Sequence, residues 1–117
     1  MGDKPSLDIQ QNEHDGVLLL SLNGQIEAET VQKLQTRLKA ALVKSSYRLI
    51  IDFSRVSFIS SIGIGIFVRE GSEATKQGGE IILTALEGDT RYVFEKLGLA
   101  VAFKFAPSVE AALKLLK

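Results

Sequence analysis

Two adjacent serines, Ser60 and Ser61, stand where a loop is predicted to meet a helix, in the segment FISSIGIG of residues 58–65. The first backbone N–H groups of a helix have no intrahelical acceptor, and the positive end of the helix dipole lies beside them. A serine at this place usually caps the helix with its hydroxyl, although the same geometry also suits a phosphate. The spacing favours a serine that caps the helix, and a phosphate site remains the alternative.

Two glycines, Gly63 and Gly65, follow the serines within the predicted first turn. Each glycine in a helix costs about 1 kcal/mol relative to alanine. This cost indicates a close approach of the backbone to a packed strand or to a partner molecule. The pair is only a fragment of a dinucleotide-binding fingerprint and no Gly-Lys-Ser/Thr follows it, so a loop that cradles a nucleotide is not supported.

The helix predicted over residues 62–77 has an apolar face and a polar face. The apolar face comprises Ile64, Phe67, Val68, Gly71, Ala74 and Thr75, and the polar face carries Arg69, Glu70, Glu73, Lys76 and Gln77. Ile62 and Ile66 fall on the polar face, close to Ser61. Two explanations stay open for them: a surface that contacts a partner, or cover by the loop of residues 23–29.

The composition limits the chemistry that the chain can perform by itself. Of its 117 residues, 14 are Lys or Arg and 14 are Asp or Glu, so the formal net charge is zero. This balance argues against a broad surface that binds nucleic acid. Cysteine is absent and His14 is the single histidine, which excludes a thiolate metal site and a cysteine nucleophile. We therefore expect no metal site and no cofactor.

The length of the chain predicts one domain over residues 1–117, of which residues 1–6 are expected to be flexible. The polar start lacks the apolar stretch of a secretory signal, and no apolar run approaches the roughly 20 residues that a membrane helix needs. We expect a cytoplasmic protein that contacts no membrane and is a monomer or a weak homodimer.

Apolar periodicity predicts the elements that position the two serines. Strands are predicted over residues 7–10, 17–22, 47–53, 80–86 and 101–105, and helices begin near Val31, Ile62, Thr90 and Ser108. The turn Asp15-Gly16 joins the first two strands into a hairpin, Thr30 is the predicted N-cap of the first helix, and residues 54–61 are a predicted loop. This order predicts an α/β fold, with a mixed sheet of about five strands and about four helices packed on it.

Six stretches, spread over nearly the whole chain, carry a family resemblance: LNGQIE (22–27), LIIDFS (49–54), VSFISSIGIG (56–65), GGE (78–80), FEKLGL (94–99) and SVEAAL (108–113). In these stretches the chain resembles the STAS domain family, whose simplest members are bacterial anti-sigma factor antagonists. The third stretch is the most diagnostic of them. The resemblance implies a STAS-like fold.

The family motif reads Asp-Ser-Ser/Thr-Gly, and its first serine is the phosphoacceptor. Counted back from Gly63, that serine is Ser61, whereas Ser60 replaces the usual Asp and Ile62 replaces the second hydroxyl residue. The resemblance implies that Ser61 is phosphorylated. Asp52 would either cap the following loop or support the Ser61 region, and its place in the motif favours support. The partner-binding residues that it implies are Gly24, Glu27, Ser60, Ser61, Ile62, Gly63 and Ile66.

The resemblance further implies a partner-switching mechanism. The unmodified domain would bind an anti-sigma factor that is also a serine kinase, and this binding would release the sigma factor. Phosphorylation of Ser61 would weaken the complex, and a PP2C-type phosphatase would restore it. Ser60 in place of Asp is the feature that favours an alternative, a non-switching STAS interaction subunit of a stress-signalling scaffold or of a lipid-transport ATPase.

A third hypothesis makes the protein an enzyme with Ser61 as its nucleophile. His14 would have to be the general base, yet it lies in a polar turn before the second strand. The Gly-x-Ser-x-Gly sequence of a nucleophile elbow is also missing around Ser61. We therefore expect a protein that is not an enzyme.

Overall fold

The computed structural model describes residues 4–14, 16–97 and 103–116. Within these residues the chain forms five strands and four helices. In chain order they are β1 (Leu7–His14), β2 (Val17–Ile26), α1 (Val31–Lys44), β3 (Arg48–Ile59), α2 (Ser61–Lys76), β4 (Glu80–Thr84), α3 (Gly88–Lys96), β5 (Phe103–Ala106) and α4 (Val109–Leu115). The predicted α/β class and the predicted order of elements are confirmed.

The strands form one mixed sheet in the spatial order β1-β2-β3-β4-β5. β1 pairs with β2 in the antiparallel direction, whereas the pairs β2–β3, β3–β4 and β4–β5 are parallel. The carboxyl ends of β2 to β5 therefore point to the same edge of the sheet, and the N-termini of the helices that follow β2, β3 and β4 begin near that edge. This arrangement places the Ser60–Ser61 segment at the carboxyl edge.

The central strand β3 is apolar on both faces because helices pack on both sides of the sheet. Leu49, Ile51 and Phe53 belong to the main core, which α1, α2 and α3 cover, and Ile50 belongs to a smaller core under α4. Four phenylalanines form an aromatic cluster in the main core, with ring centroids 5.3–6.3 Å apart: Phe53, Phe67, Phe94 and Phe103.

β1 extends to His14 instead of the predicted Gln10, and the next two strands also extend further than the sequence predicted. β2 continues past Asn23-Gly24 to Ile26, and β3 continues to Ile59 through the segment predicted as a loop. The extensions of β2 and β3 pair with each other in parallel, with two irregularities in their register. The prediction failed here because exposed polar residues interrupt the apolar pattern of β3, while the hydrogen bonds of β2 still hold the backbone extended.

Other boundaries differ by smaller amounts. β4 ends at Thr84, and α3 begins at Gly88 rather than at Thr90. β5 covers residues 103–106; the predicted start of this strand at Val101 and the predicted helix stop at Gly98 lie outside the described residues. Thr30 stands at the N-cap of α1 but does not cap it, because its hydroxyl donates to the Gln25 carbonyl at 2.7 Å and accepts from the Glu27 N–H at 3.0 Å.

The prediction for the faces of α2 was wrong for two residues. Glu70, assigned to the solvated face, is only 4% exposed because α1 lies over it, and its nearest cation is the Lys39 ammonium at 4.0 Å. Thr75, assigned to the core face, is exposed, and its hydroxyl donates to the Gly71 carbonyl. Both residues lie near the borders of the two faces. A helical wheel considers one helix alone and therefore cannot predict burial by a neighbouring helix.

Candidate functional site

Ser60 caps α2 and is held at three points. Its hydroxyl accepts a hydrogen bond from the Gly63 N–H at 3.3 Å, and its carbonyl accepts from the Ile64 N–H at 3.0 Å. Its own N–H donates to the carbonyl of Ile26 at 2.8 Å. The extended backbone of Ser60 (φ −86°, ψ 169°) is that of an N-cap residue. Of the two serines, Ser60 therefore takes the capping role.

Ser61 has different surroundings, although it is the next residue. It is the first residue of α2 and is exposed to solvent. Within the described residues no hydrogen bond involves its hydroxyl. The first N–H groups of the helix lie beside this hydroxyl, and the positive end of the helix dipole is at the same place. The Ser61 oxygen is thus accessible, in surroundings that favour negative charge.

The two glycines of the first turns differ in their packing. A Cβ on Gly63 would lie 2.5 Å from Cγ2 of Ile26 and 3.1 Å from Cγ1 of Ile59. Gly63 therefore lets the start of α2 pack directly on the ends of β2 and β3. A Cβ on Gly65 would meet no atom within 4 Å, so no internal contact explains this second glycine.

Apolar side chains near Ser61 in the chain are exposed. Ile62 is 51% exposed, and so is Phe58 near the end of β3. Ile66 is half-buried against the main core. Ile62 is thus not covered by the loop of residues 23–29, whereas Ile66 packs against the main core. The sequence did not single out Phe58, although an aromatic residue three positions before Ser61, in a segment with no apolar periodicity, was a usable signal.

The end of β2, which includes Gly24, and the β2–α1 loop lie at the same edge of the sheet. Ile26, whose carbonyl receives the Ser60 N–H, is followed by Glu27, and the carbonyl of Glu27 accepts the N–H groups of Thr30 and Val31 at 2.9 Å each. The chain at Gly24 has φ +128°, and a Cβ there would overlap the Ser6 carbonyl oxygen. The carbonyl of Gly24 also accepts the hydroxyl of Ser57 at 3.2 Å. The structure therefore brings this loop and residues 60–63 together at one edge.

Asp52 lies elsewhere on β3. Its carboxylate accepts hydrogen bonds from the Ser54 N–H and hydroxyl, both at 3.0 Å, and from the Thr84 hydroxyl at 3.1 Å. The nine residues from Asp52 to Ser61 place it on the order of 20 Å or more away along an extended strand. The structure therefore does not bring Asp52 together with Ser61, and its hydrogen bonds instead link β3 to β4.

His14 lies at the opposite end of the sheet from Ser61. It pairs with Val17 at the β1–β2 turn, which is at the amino end of β2. No imidazole therefore lies close enough to Ser61 to act as its general base. Among the described residues there is no cluster of three or more His, Cys, Asp or Glu side chains placed to hold a metal ion. Of the four helices described, none is long and apolar enough to span a bilayer.

Comparison with known proteins identifies the family. Residues 8–112 match the model of the STAS domain. This chain therefore belongs to the STAS domain family, as its sequence motifs predicted. The anti-sigma-B factor antagonist of Listeria monocytogenes is 30% identical to it over 95 residues, which cover 81% of this chain and 82% of that protein.

Solved structures agree with this membership. The crystal structure of an anti-sigma factor antagonist from Mycobacterium paratuberculosis has a TM-score of 0.83 at 29% identity, covering 94% of this chain and 93% of that chain. The phosphorylated form of SpoIIAA, a Bacillus cell fate determinant, has a TM-score of 0.74 at 22% identity over 94% of this chain and 100% of that chain. This second likeness shows the shared fold, and the predicted STAS-like architecture is confirmed.

Proposed function

We propose that this STAS domain is an anti-sigma factor antagonist whose binding is switched off by phosphorylation of Ser61. The names of its relatives in Listeria and Mycobacterium support the antagonist part of the proposal. The observation that carries the switch is the division of roles between the two serines. The Ser60 hydroxyl caps α2 by accepting the Gly63 N–H, whereas Ser61 is exposed at the start of the helix.

The fold can accept a phosphate on Ser61 without rearrangement. A phosphoserine adds about −1.5 to −2 charge at pH 7. At the first position of a helix this charge faces free N–H groups and the positive end of the dipole, which stabilise it. Ser60 is a neutral cap, so no carboxylate of the N-cap repels the phosphate. Phosphorylation should therefore change the surface of the protein and leave its core intact.

The same charge would disrupt a contact made through the surface around Ser61. The exposed side chains of Phe58 and Ile62, which lie within three residues of Ser61 in the chain, offer apolar area to a partner. Binding buries such side chains, and a dianion among them would have to lose its water without gaining a partner charge. A loss of about 3 kcal/mol corresponds to more than a hundredfold in affinity, which is enough for a switch.

The partners in this proposal are an anti-sigma factor with serine kinase activity and a phosphatase of the PP2C type, which supply the chemistry that the chain lacks. The contact with the anti-sigma factor would be formed by Gly24, Glu27 and the surface around Ser61. Gly63 and Ile66, which pack against the residues beneath this surface, would hold it in place. Because sigma factors act on transcription, the protein would work in the cytoplasm without binding nucleic acid itself.

The phosphorylation step is tested with the kinase of the same organism, ATP and three forms of the protein. We expect stoichiometric phosphate on the wild type and on Ser60→Thr, which keeps a capping hydroxyl, and none on Ser61→Ala. Mapping by mass spectrometry should assign the phosphate to Ser61. Phosphate on Ser60, or undiminished labelling of Ser61→Ala, would contradict the assignment.

One observation favours a second candidate function, a STAS interaction subunit that is never phosphorylated. The usual acidic residue before the phosphoacceptor is Ser60 in this chain, and a kinase that reads this carboxylate would not recognise it. Electrophoresis in a phosphate-affinity gel, on protein from the native host, distinguishes the two functions. A reversible shift that Ser61→Ala abolishes supports the switch, whereas no shift under any condition supports the constitutive subunit.

A further inference from the structure

The edge strand β1 carries a row of backbone groups that the sheet does not use. The Gln25 N–H donates to the Ser6 carbonyl at 2.8 Å, and the register continues with Asp8 opposite Asn23. Bonded and non-bonded pairs alternate along an antiparallel ladder. Every second residue of β1 therefore directs its N–H and carbonyl away from β2, and these residues are Leu7, Ile9, Gln11 and Glu13.

Two cationic side chains of α1 occupy the first half of this row. The Lys33 ammonium donates to the carbonyl of Leu7 at 2.6 Å, and the Arg37 guanidinium donates to the carbonyl of Ile9 at 3.3 Å. The spacings match, because residues four apart on a helix advance about 6 Å and residues two apart on a strand advance about 6.8 Å. One turn further along α1 stand Ala40 and Ala41, which have no side-chain donor.

We propose that the β1 edge is a self-association surface for a second copy of this chain, and that Lys33 and Arg37 keep it closed. An unpaired edge strand is a template for another strand, and long charged side chains are one way in which proteins block it. With the carbonyls of Leu7 and Ile9 occupied, Gln11 and Glu13 are the residues of the described strand whose outward N–H and carbonyl both stay available. Two such residues, one of them charged, offer a second strand few hydrogen bonds.

A second copy of this chain fits this edge. Two β1 strands related by a twofold axis perpendicular to the sheet would pair in the antiparallel direction and extend it across both molecules. Because such an axis preserves the two faces, the buried Leu7 and Ile9 of each copy would lie on one face and the exposed Asp8 and Gln10 on the other. The alternating pattern of β1 is thus complementary to itself. The proposal is independent of Ser61 and of any partner protein.

Sedimentation velocity of the double variant Lys33→Ala/Arg37→Ala tests the proposal. We expect the wild type to sediment as a monomer over a wide range of concentration and the double variant to reach twice that mass. The control Lys44→Ala/Lys76→Ala removes the same charge from exposed lysines that make no hydrogen bond within the described residues, and it should stay monomeric. Adding Gln11→Pro to the double variant removes an outward N–H and should restore the monomer.

Hydrogen exchange identifies the interface. In the associated double variant, the outward amides of Leu7, Ile9 and Gln11 should exchange roughly tenfold more slowly than in the wild type. A folded double variant that stays monomeric would overturn the proposal, and so would equal association of the control pair. Association that leaves these amides unprotected would overturn it as well. If the double variant does not fold, Lys33→Ala alone, which removes the shorter bond, is measured in the same way.

Discussion

Ser60 and Ser61 have the same side chain, yet the structure gives them separate tasks. The Ser60 hydroxyl accepts a hydrogen bond from the Gly63 N–H, and the Ser60 N–H donates to the Ile26 carbonyl at the end of β2. The Ser60 hydroxyl therefore has a structural role. The Ser61 hydroxyl makes no hydrogen bond within the residues that the structure describes, and this residue is exposed to solvent. Ser60 therefore contributes to stability, and Ser61 is the residue proposed for modification. Substitutions at the two positions can separate these two roles.

The first prediction concerns stability at these two positions. Ser60→Ala should lower the free energy of unfolding by about 1 kcal/mol, because the Gly63 N–H loses its acceptor. Ser61→Ala should change it by less than about 0.5 kcal/mol, as an exposed substitution with no lost contact. Urea denaturation measures both. Equal effects of the two substitutions would contradict the division of roles.

The second prediction compares the two glycines of α2. Gly63→Ala should destabilise the protein by about 1–3 kcal/mol, because the new methyl group would press on Ile26 and Ile59. Gly65→Ala should stabilise it by up to about 1 kcal/mol, because the position is helical and open. Thermal unfolding of the two variants checks the opposite signs, and a stabilising Gly63→Ala would show that the strand ends do not pack as described.

The extensions of β2 and β3 at the carboxyl edge of the sheet were not predicted from the sequence. The apolar run ends at Phe53, and the polar residues beyond it predict a loop. The strand nevertheless continues to Ile59, since each extension supplies the hydrogen-bonding partner of the other. Pairing between segments some thirty residues apart leaves no periodic signal. The helices, whose hydrogen bonds are local, were predicted closely by comparison.

This extension also makes Phe58 an exposed residue of β3, one position before the end of the strand. The third prediction is that Phe58→Ala and Ile62→Ala each weaken binding to the anti-sigma factor by about 1–3 kcal/mol, because each removes apolar area that the complex would bury. Isothermal titration measures the affinity, with Tyr92→Ala on α3, where the side chain is 61% exposed, as the control. Unchanged affinity of both variants would place the interface elsewhere.

For the whole molecule, the sequence predicted the class of fold and the family, but only part of the site. The motif around Ser61 identified the segment, and alternating apolar stretches identified a mixed sheet with helices. The cover of Glu70 by α1 and the distance of Asp52 from Ser61 depend on contacts between elements, which spacing along the chain does not encode. The exposure of Phe58 required the strand extension to be known.

The zero net charge of the chain bears on the proposed switch. A phosphate on Ser61 would change the net charge from zero to about −2 and would place all of it at one edge of the sheet. The second ionisation of a phosphoserine has a pKa near 6, so the charge on the modified protein falls toward −1 as the pH drops below that value. Any effect of the phosphate on binding should accordingly weaken below about pH 6.

The proposed switch is tested by the affinity of the phosphorylated protein for its anti-sigma factor. Isothermal titration at pH 7.5 would compare the unmodified protein with the same protein carrying one phosphate on Ser61, and Ser61→Ala treated with kinase and ATP would be the control. We predict a roughly hundredfold or larger loss of affinity on phosphorylation, none for the control, and unchanged unfolding of the modified domain. Equal affinity of the two forms would contradict the account.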